Sequence, residues 1–325
     1  MLMKSKWMVW VAAIAALLLV LPATAWGQAA RGGRKHRPTV ALVLGGGGAK
    51  GAAQVGALKE IVRSGVPIDY VVGTSIGSIV GGLYSLGYSP EHLDSLFCAQ
   101  DWVQLFGDTG AKGRRKMPQV KGFGLLGGHG VMQFLDDLVA QSPANVGTDA
   151  YVSDSVEFDR LPIPYRAVAG DVRSGSAIAL SHGRISLAMR ASMAIPGVFK
   201  TVQIDSLVLL DGGIVNNLPV DVARELGADY VIAVDLTQNK HPDYKPSTLG
   251  LLMPRTVRWL LERPDIVNYN RNRENCDIYI NPELDGYGAT SFKPAAIRAM
   301  IDQGQQAAKK AHKKLVALRR KVLGR

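Results

Sequence analysis

Residues 73–77 read Gly-Thr-Ser-Ile-Gly, and this short motif constrains the fold more than any other part of the sequence. It follows an apolar stretch of strand length, Asp69–Val72, and it precedes a stretch with helical spacing, Ser78–Leu86. A G-x-S-x-G motif between a strand and a helix is typical of a nucleophile elbow, in which glycines flank the serine because the backbone turn is strained and crowded. The motif therefore predicts Ser75 as a candidate nucleophile.

A second glycine-rich motif, Gly-Gly-Gly-Gly-Ala-Lys-Gly at 45–51, follows the preceding apolar strand at 39–44. Its glycines fit the G-x-G-x-x-G pattern of dinucleotide-binding folds, but that interpretation requires an acidic residue at the end of the next strand, where this chain has the serine motif. A glycine-rich loop that leads into a helix also offers N–H donors to the oxyanion that forms when a serine attacks a carbonyl group. We therefore interpret the loop as an oxyanion hole, with a nucleotide- or phosphate-binding protein as the alternative.

The rest of the chain alternates short apolar strands with stretches of helical periodicity. Further strands are expected at 165–169, 201–204, 207–210 and 230–234, and further helices begin near residues 51, 186 and 220. This order predicts an α/β fold with a mainly parallel central sheet and helices on both faces. Residues 107–130 are rich in glycine and basic side chains without a clear period, so we expect a large loop over one end of the sheet.

A serine nucleophile needs a base, and Asp211 is the candidate. It follows the strand at 207–210 in the stretch Ser-Leu-Val-Leu-Leu-Asp-Gly-Gly, and burial there would raise its pKa enough for it to accept the serine proton. None of the six histidines lies at a strand end in a context typical of a Ser-Asp-His hydrolase. Asp211 is therefore the predicted base, and a turn-forming Asp-Gly pair is the alternative.

Several motifs occur in a fixed order along the chain. Gly-Gly-Gly-Ala-Lys-Gly follows the first strand, Gly-Thr-Ser-Ile-Gly the second, and Asp-Gly-Gly comes late, between Ala-Ser-Met-Ala-Ile-Pro-Gly-Val-Phe at 191–199 and Asn-Asn-Leu-Pro-Val at 216–220. Over residues 39–280 this order and spacing resemble the patatin-like phospholipase family. One departure is the Gly170-Asp171 pair, where a Thr-Asp pair is more usual. The resemblance implies a three-layer α/β/α sandwich that hydrolyses acyl esters in lipids through a Ser-Asp dyad, without a metal or cofactor.

The resemblance also implies roles for the matched positions. Ser75 is implied as the nucleophile and Asp211 as the base, and the oxyanion-hole donors are implied as backbone N–H groups of Gly46, Gly47, Gly48 and Ile76. The residues that support the motifs are Lys50, Gly51, Gly73, Gly77, Gly212 and Gly213. Lys50 matches a position where the family has a basic residue, and its role stays open. The implied partner is a lipid or phospholipid, with head group and acyl position unspecified.

The positive charge is concentrated at the two ends of the chain. Residues 1–37 carry six Lys and Arg side chains and no acidic one, and residues 309–325 carry eight, again without an acidic one. Subtracting these 14 charges from the formal net charge of +11 leaves about −3 for residues 38–308. The pattern favours an anionic membrane surface as a partner and argues against a nucleic acid. Two solvated tails, or a non-catalytic membrane-surface protein of the same fold, are the alternatives.

The first 25 residues are predicted as a signal peptide. Lys4 and Lys6 precede an apolar run at 7–21, and residues 23–25, Ala-Thr-Ala, are typical of a cleavage site. The run is only slightly shorter than the roughly 20 residues that span a bilayer, so an uncleaved anchor is the alternative. The chain is therefore expected to be exported, either periplasmic or secreted.

The remaining segments complete the predicted organisation. Residues 26–38 are expected to form a basic linker, 39–280 the catalytic domain and 281–325 a C-terminal helical segment with a basic tail. Residues 249–264 mix leucine and tryptophan with arginine, which fits either a membrane-interfacial segment or a helix packed on the sheet. In an exported protein Cys98 and Cys276 either pair or stay thiols.

Overall fold

The computed structural model of the chain describes residues 37–106, 124–237 and 266–324. The predicted signal peptide and the run at 249–264 lie outside these residues, as do nearly all of the predicted linker and most of the predicted loop at 107–130. The strands are β1 (Val40–Leu44), β2 (Tyr70–Thr74), β3 (Gly124–Leu126), β4 (Val156–Glu157), β5 (Tyr165–Asp171), β6 (Ala177–Leu180), β7 (His182–Gly183), β8 (Gly197–Phe199), β9 (Val202–Ile204), β10 (Leu207–Asp211), β11 (Tyr230–Val234) and β12 (Ile278–Ile280). The α-helices are α1 (Ala52–Ser64), α2 (Ile76–Ser85), α3 (Pro90–Ala99), α4 (Trp102–Phe106), α5 (His129–Ala140), α6 (Ile185–Ser192), α7 (Val220–Glu225), α8 (Ile266–Glu274), α9 (Pro294–Lys310) and α10 (His312–Leu323).

One sheet positions the candidate site. Its strand order is β12-β11-β1-β2-β5-β10-β9, with β6 also paired to β5. From β12 to β5 neighbouring strands are parallel, as predicted, whereas β10 and β9 are antiparallel to their neighbours. Only two residues, Asp205 and Ser206, join β9 to β10, and so short a connection joins antiparallel strands. The predicted mainly parallel sheet is therefore confirmed, with antiparallel strands β9 and β10 at one side and β6 beside β5.

Helices cover both faces of the sheet because the side chains of a strand alternate between its faces. Leu42 of β1 belongs to a large core that includes Leu58 of α1. The neighbouring Ala41 and Val43 belong to a second, smaller core that includes Ala223 of α7. The three layers that the resemblance implied are therefore confirmed.

Helix α9 crosses α1 with the two backbones in contact. A β-carbon built on Gly56 would lie 1.8 Å from the carbonyl oxygen of Ile301, and one built on Gly304 would lie 1.8 Å from that of Ala53. Only glycine fits at either position without moving one helix. From Pro38 onward, the described residues belong to one compact unit that includes these helices.

The basic C-terminal segment is an amphipathic helix. Leu315, Leu318 and Val322 of α10 are buried. The exposed side chains of α10 and of the last turn of α9 include a group of basic residues, which we call the basic face: Lys309, Lys310, Lys313, Lys314, Arg320 and Lys321. The segment predicted as a helix with a basic tail is thus helical, and its apolar side packs on the rest of the protein.

The basic face lies at the amino-terminal edge of the parallel strands. In α10, Arg319 Nη1 donates to the carbonyl oxygen of Ser64 at 3.3 Å, at the end of α1. The Lys321 ammonium lies 4.7 Å from the ring centroid of Tyr230, the first residue of β11. The two glycine motifs follow the carboxyl ends of β1 and β2, at the opposite edge.

The structure also bears on the loop at 107–130, on the two cysteines and on a possible membrane-spanning helix. The predicted loop at 107–130 ends earlier than expected, because 124–126 form β3 and α5 begins at His129. Cys98 and Cys276 are both free thiols, so the disulfide alternative does not hold. No helix in the described ranges combines the length and apolar character needed to cross a bilayer.

Replacing Gly304 by Ala is expected to destabilise the fold by about 1–3 kcal/mol, because the added methyl group would clash with the backbone of α1. Urea unfolding followed by circular dichroism measures the change. The exposed Gln306 of the same helix provides the control, and Gln306→Ala should change the unfolding free energy by less than about 0.5 kcal/mol. Equal midpoints for Gly304→Ala and Gln306→Ala would contradict the close crossing.

Candidate active site

Ser75 occupies a strained turn between β2 and α2. Its φ is 54° and its ψ is −125°, a conformation that residues with a β-carbon rarely adopt. A β-carbon built on Gly73 would lie 2.3 Å from the carbonyl oxygen of Gly77, and one on Gly77 would lie 2.2 Å from that of Leu44. The crowding at this turn leaves room only for glycine at both flanking positions.

Asp211 approaches Ser75 from the opposite direction along the sheet. Strand β5 pairs with the end of β2 at Val168 and continues beyond it to Asp171. The antiparallel β10 runs back along this extension and ends at Asp211, opposite Ala169. Ser75 Oγ donates a hydrogen bond to Asp211 Oδ2 at 2.7 Å. The two side chains predicted as nucleophile and base are therefore in direct contact.

Both members of this pair are shielded from solvent, with 5% of Ser75 and 4% of Asp211 exposed. Burial raises the pKa of Asp211 to about 6, although hydrogen bonds from Ser75 Oγ and from the Gly213 N–H lower it in part. The Gly213 N–H donates to Asp211 Oδ1 at 2.7 Å, so each carboxylate oxygen has a donor. Such a group is ionised at neutral pH and is a stronger base than a solvated carboxylate.

The glycine-rich loop passes directly beside the serine. A β-carbon built on Gly46 would lie 3.2 Å from the Cβ of Ser75 and 2.4 Å from Asn217 Oδ1. The Gly46 N–H donates to the carbonyl oxygen of Asn217 at 3.2 Å. The Gly46 N–H is therefore already hydrogen bonded within the protein and is not available to an oxyanion. What Gly46 provides is the absence of a side chain, which lets the loop pass close to Ser75.

The other three predicted donors differ from Gly46. Within the described residues, no acceptor lies in hydrogen-bond range of the N–H groups of Gly47, Gly48 or Ile76. Gly48 has a φ of +59°, and a β-carbon there would lie 2.5 Å from the carbonyl oxygen of Ala289. Ile76 is the first residue of α2, whose opening N–H groups have no partner inside the helix.

Lys50 and Gly51 fix the loop to its surroundings. Lys50 Nζ donates to the carbonyl oxygen of Leu236 at 2.9 Å, just beyond β11. Burial lowers the pKa of Lys50, and the nearby charge of Asp235 partly offsets this. A β-carbon built on Gly51 would lie 2.2 Å from Ile76 Cγ1. The side chain of Lys50, whose role the sequence left open, thus connects the loop to the end of β11.

The two glycines after the aspartate allow the chain to turn close to the sheet. A β-carbon built on Gly212 would lie 2.2 Å from the carbonyl oxygen of Val168, and one on Gly213 would lie 2.8 Å from Asn217 Oδ1. The amide of Asn217 therefore lies between the glycine loop and the turn that follows Asp211.

Sequence reasoning assigned no role to two polar residues that contact this site. Asn217 is one, and Ser192 is the other, because its Oγ accepts a hydrogen bond from the N–H of Ser75 at 2.8 Å. Both lie in the segments that helped to carry the family resemblance, 191–199 and 216–220. Their positions on either side of Asp211 in the sequence were the available signal, but an uncharged side chain in a loop or helix gives no indication of its partner.

No histidine within the described residues hydrogen bonds to Ser75 or Asp211. His92 lies within α3, and His312 begins α10 at the opposite edge of the sheet. His36 and His241 lie outside the described residues. In the same described ranges no three His, Cys, Asp or Glu side chains are grouped so that they could hold a metal ion.

Known proteins resemble this chain in sequence and in fold. Residues 42–224 match the family model described as patatin-like phospholipase. An uncharacterized NTE family protein of Mycobacterium tuberculosis is 30% identical over 226 residues, which cover 68% of this chain and 56% of that protein. Patatin-like phospholipase domain-containing protein 6 of Homo sapiens is 34% identical over 234 residues, which cover 68% of this chain and 15% of that protein. The matched region thus spans little more than half of the first relative and a small part of the second.

A solved structure shares the fold. The crystal structure of VipD from Legionella pneumophila aligns with a TM-score of 0.54 and 13% sequence identity, covering 86% of this chain and 67% of that one. At this identity the likeness concerns the layered α/β architecture alone.

Replacing Asp211 by Asn is expected to stabilise the folded chain at pH 8. Because the pKa of this buried carboxyl group is raised in the folded state, its stabilising contribution is fully present below about pH 4 and is lost as the pH rises through about 6. An amide keeps the shape and cannot ionise, so the unfolding free energy should increase by about 1–3 kcal/mol at pH 8. Urea unfolding at pH 8 and pH 5 measures this, and the difference should shrink at the lower pH. A less stable variant at pH 8 would show that the carboxylate is favoured by its surroundings.

Proposed function

The chain belongs to the patatin-like phospholipase family, and we propose that it is a serine acyl hydrolase that releases fatty acids from lipid esters through Ser75 and Asp211. The observation that carries this proposal is the 2.7 Å hydrogen bond from Ser75 Oγ to the buried carboxylate of Asp211, at a strained turn. The human relative is named for a patatin-like phospholipase domain, which supports carboxylic ester bonds of phospholipids as the substrate class.

In the proposed reaction Asp211 accepts the proton of Ser75 as the serine oxygen attacks the acyl carbonyl carbon. The tetrahedral intermediate then collapses, and the alcohol leaves with the proton that Asp211 holds. Water attacks the resulting acyl-enzyme with Asp211 again as the base. The fatty acid departs and Ser75 regains its proton, so the dyad returns to its starting state.

We assign stabilisation of the oxyanion to the N–H groups of Gly47, Gly48 and Ile76. Ile76 directly follows the serine, and Gly47 and Gly48 follow Gly46, which passes beside it. None of the three N–H groups is hydrogen bonded to other described residues, which supports the assignment. Helix α2 begins at Ile76, so the positive end of its dipole adds to the same effect. Removal of a single donor from such a site typically slows turnover by about 10²–10³-fold.

A phosphate cradle is the competing interpretation of the glycine loop, and the position of Asp211 argues against it. Gly46 passes beside Ser75, and Ser75 Oγ touches a buried carboxylate. A phosphate group bound at this loop would therefore come close to a second negative charge in a site with little solvent, which is electrostatically unfavourable. A neutral ester carbonyl does not meet this repulsion until its charge develops in the transition state.

A fluorophosphonate probe tests the proposed dyad. The wild-type chain should be labelled at Ser75, and Ser75→Ala should abolish the label. Asp211→Asn should slow labelling and the hydrolysis of a short soluble ester by about 10²–10⁴-fold, because the amide cannot accept a proton. His92→Ala is the control and should react at the wild-type rate. Rapid labelling of Asp211→Asn would indicate another base, and an unlabelled wild type protected from proteolysis by a nucleotide would favour the phosphate-binding alternative.

We further propose that the basic face of α10 attracts the enzyme to anionic membranes. Its six side chains are exposed, and none forms an ion pair with a carboxylate among the described residues. The face lies at the sheet edge opposite Ser75, so a membrane held there would leave the candidate active site uncovered. The attraction is electrostatic and weakens with salt.

Neutralising part of the basic face should weaken binding to vesicles of equal parts phosphatidylglycerol and phosphatidylcholine. The variant replaces Lys310, Lys313, Lys314 and Arg320 by Gln, which keeps α10 and its buried leucines intact. At about 1 kcal/mol for each charge near the surface, binding at low salt should fall at least tenfold while soluble-ester turnover stays unchanged. The matched control replaces four exposed basic residues elsewhere by Gln: Arg160, Arg173, Arg271 and Lys293. Equal losses in both variants would mean that net charge alone, and no particular face, governs binding.

A further inference from the structure

The end of helix α6 contacts the backbone of both members of the dyad. Ser192, the last residue of α6, is fully buried and accepts a hydrogen bond from the N–H of Ser75 at 2.8 Å. Two residues later, the carbonyl oxygen of Ala194 accepts a hydrogen bond from the N–H of Asp211 at 2.9 Å. One short segment, 192–194, therefore fixes two backbone positions that lie 136 residues apart in the sequence.

The Ser192 hydroxyl is itself held in one orientation. Its Oγ donates to the carbonyl oxygen of Val168 at 2.6 Å, on β5, the strand that pairs with both β2 and β10. Because its single proton is committed to Val168, the oxygen presents a lone pair to the N–H of Ser75. The hydroxyl thus bridges β5 to the strained turn.

Helix α6 is also anchored at its other end. Arg184, which precedes its first residue, forms an ion pair with Asp136 of α5, and Ser186 Oγ donates to the same carboxylate at 2.6 Å. Midway along α6, a β-carbon built on Gly82 of α2 would lie 2.3 Å from Met189 Cε. Contacts along its length therefore hold α6 in place, and they resist a displacement of Ser192 at its end.

We infer that Ser192 is a positioning residue of the proposed reaction: its hydroxyl holds the Ser75 backbone in the strained conformation that directs Oγ at the Asp211 carboxylate. This inference rests on the proposed function. A hydrogen bond needed only for folding would contribute to stability and leave the reactivity of Ser75 unchanged. A positioning role requires that Ser75 react more slowly in a folded protein that lacks the hydroxyl, because the reacting groups depart from productive geometry.

Ser192→Ala removes the acceptor without adding volume. We expect kcat for a short soluble ester to fall about 10- to 100-fold with KM little changed, and the second-order rate of fluorophosphonate labelling to fall by the same factor. Ser85→Ala is the matched control, because Ser85 is an equally buried serine on α2 whose hydroxyl has no partner among the described residues. Ser85→Ala should react at the wild-type rate.

A second comparison separates positioning from loss of stability. Leu318→Ala weakens the fold at the opposite edge of the sheet from Ser75, and at a temperature where Ser192→Ala and Leu318→Ala are both fully folded only Ser192→Ala should be slow. If Ser192→Ala does not fold, Ser192→Cys keeps the side-chain shape with a weaker acceptor and should show a smaller loss of kcat. Wild-type labelling and turnover in the folded Ser192 variant would overturn the inference, whereas an unreactive wild type would overturn the proposed function itself.

Discussion

The backbone conformation of Ser75 is the constraint on which the rest of the site depends. A serine with φ of 54° is unfavourable by itself, on the order of 1–3 kcal/mol, and persists only where the surroundings leave no alternative. Those surroundings are visible: Gly73 and Gly77 leave no room for side chains, and Ser192 holds the serine N–H. The sheet end, α2 and α6 thus combine to direct one buried hydroxyl at Asp211, at the carboxyl edge of β2. Without this turn the serine would be an ordinary residue at a helix start.

The antiparallel side of the sheet serves the second half of the dyad. A strand that ran parallel to β5 along the same stretch would begin beside Ala169 and end beside Asp171, farther from Ser75. Because β10 runs in the opposite direction, its final residue, Asp211, ends beside Ala169 and within 2.7 Å of Ser75 Oγ. The same placement buries the carboxyl group and raises its pKa to about 6. Burial of Asp211 therefore has two effects: it makes the carboxylate a better base at neutral pH, and it lowers the free energy of unfolding at that pH. Such a trade-off between activity and stability is common at functional sites.

Much of this arrangement could be predicted from the sequence, because the information was local. Strand β11 was predicted at 230–234 and is observed there, and the glycines beside Ser75 and Asp211 indicated where the chain turns. The antiparallel direction of β10 could not be read from periodicity, which is the same for either direction. The roles of Ser192 and Asn217 depend on contacts with residues more than 100 positions away, and no pattern along the chain encodes such a contact. The basic tail packs on the protein through Leu315, Leu318 and Val322. Their helical spacing is visible in the sequence, but the eight positive charges of the same segment favoured a solvated tail.

The C-terminal helices connect the two edges of the sheet and thereby take part in shaping the glycine loop. The 3-10 turn at Gly48–Gly51 continues directly into α1, so the position of the loop follows that of the helix. Helix α9 is in backbone contact with α1 at Gly56 and Gly304. Just before α9 begins, the carbonyl oxygen of Ala289 accepts a hydrogen bond from the N–H of Ala49 at 2.9 Å. Two contacts therefore hold the glycine loop. The crossing of α9 fixes α1, which continues from the loop, and the segment before α9 binds the loop directly through Ala289. A part of the chain that its composition presents as a solvated tail is, in the folded protein, continuous with the framework that holds the loop against Ser75.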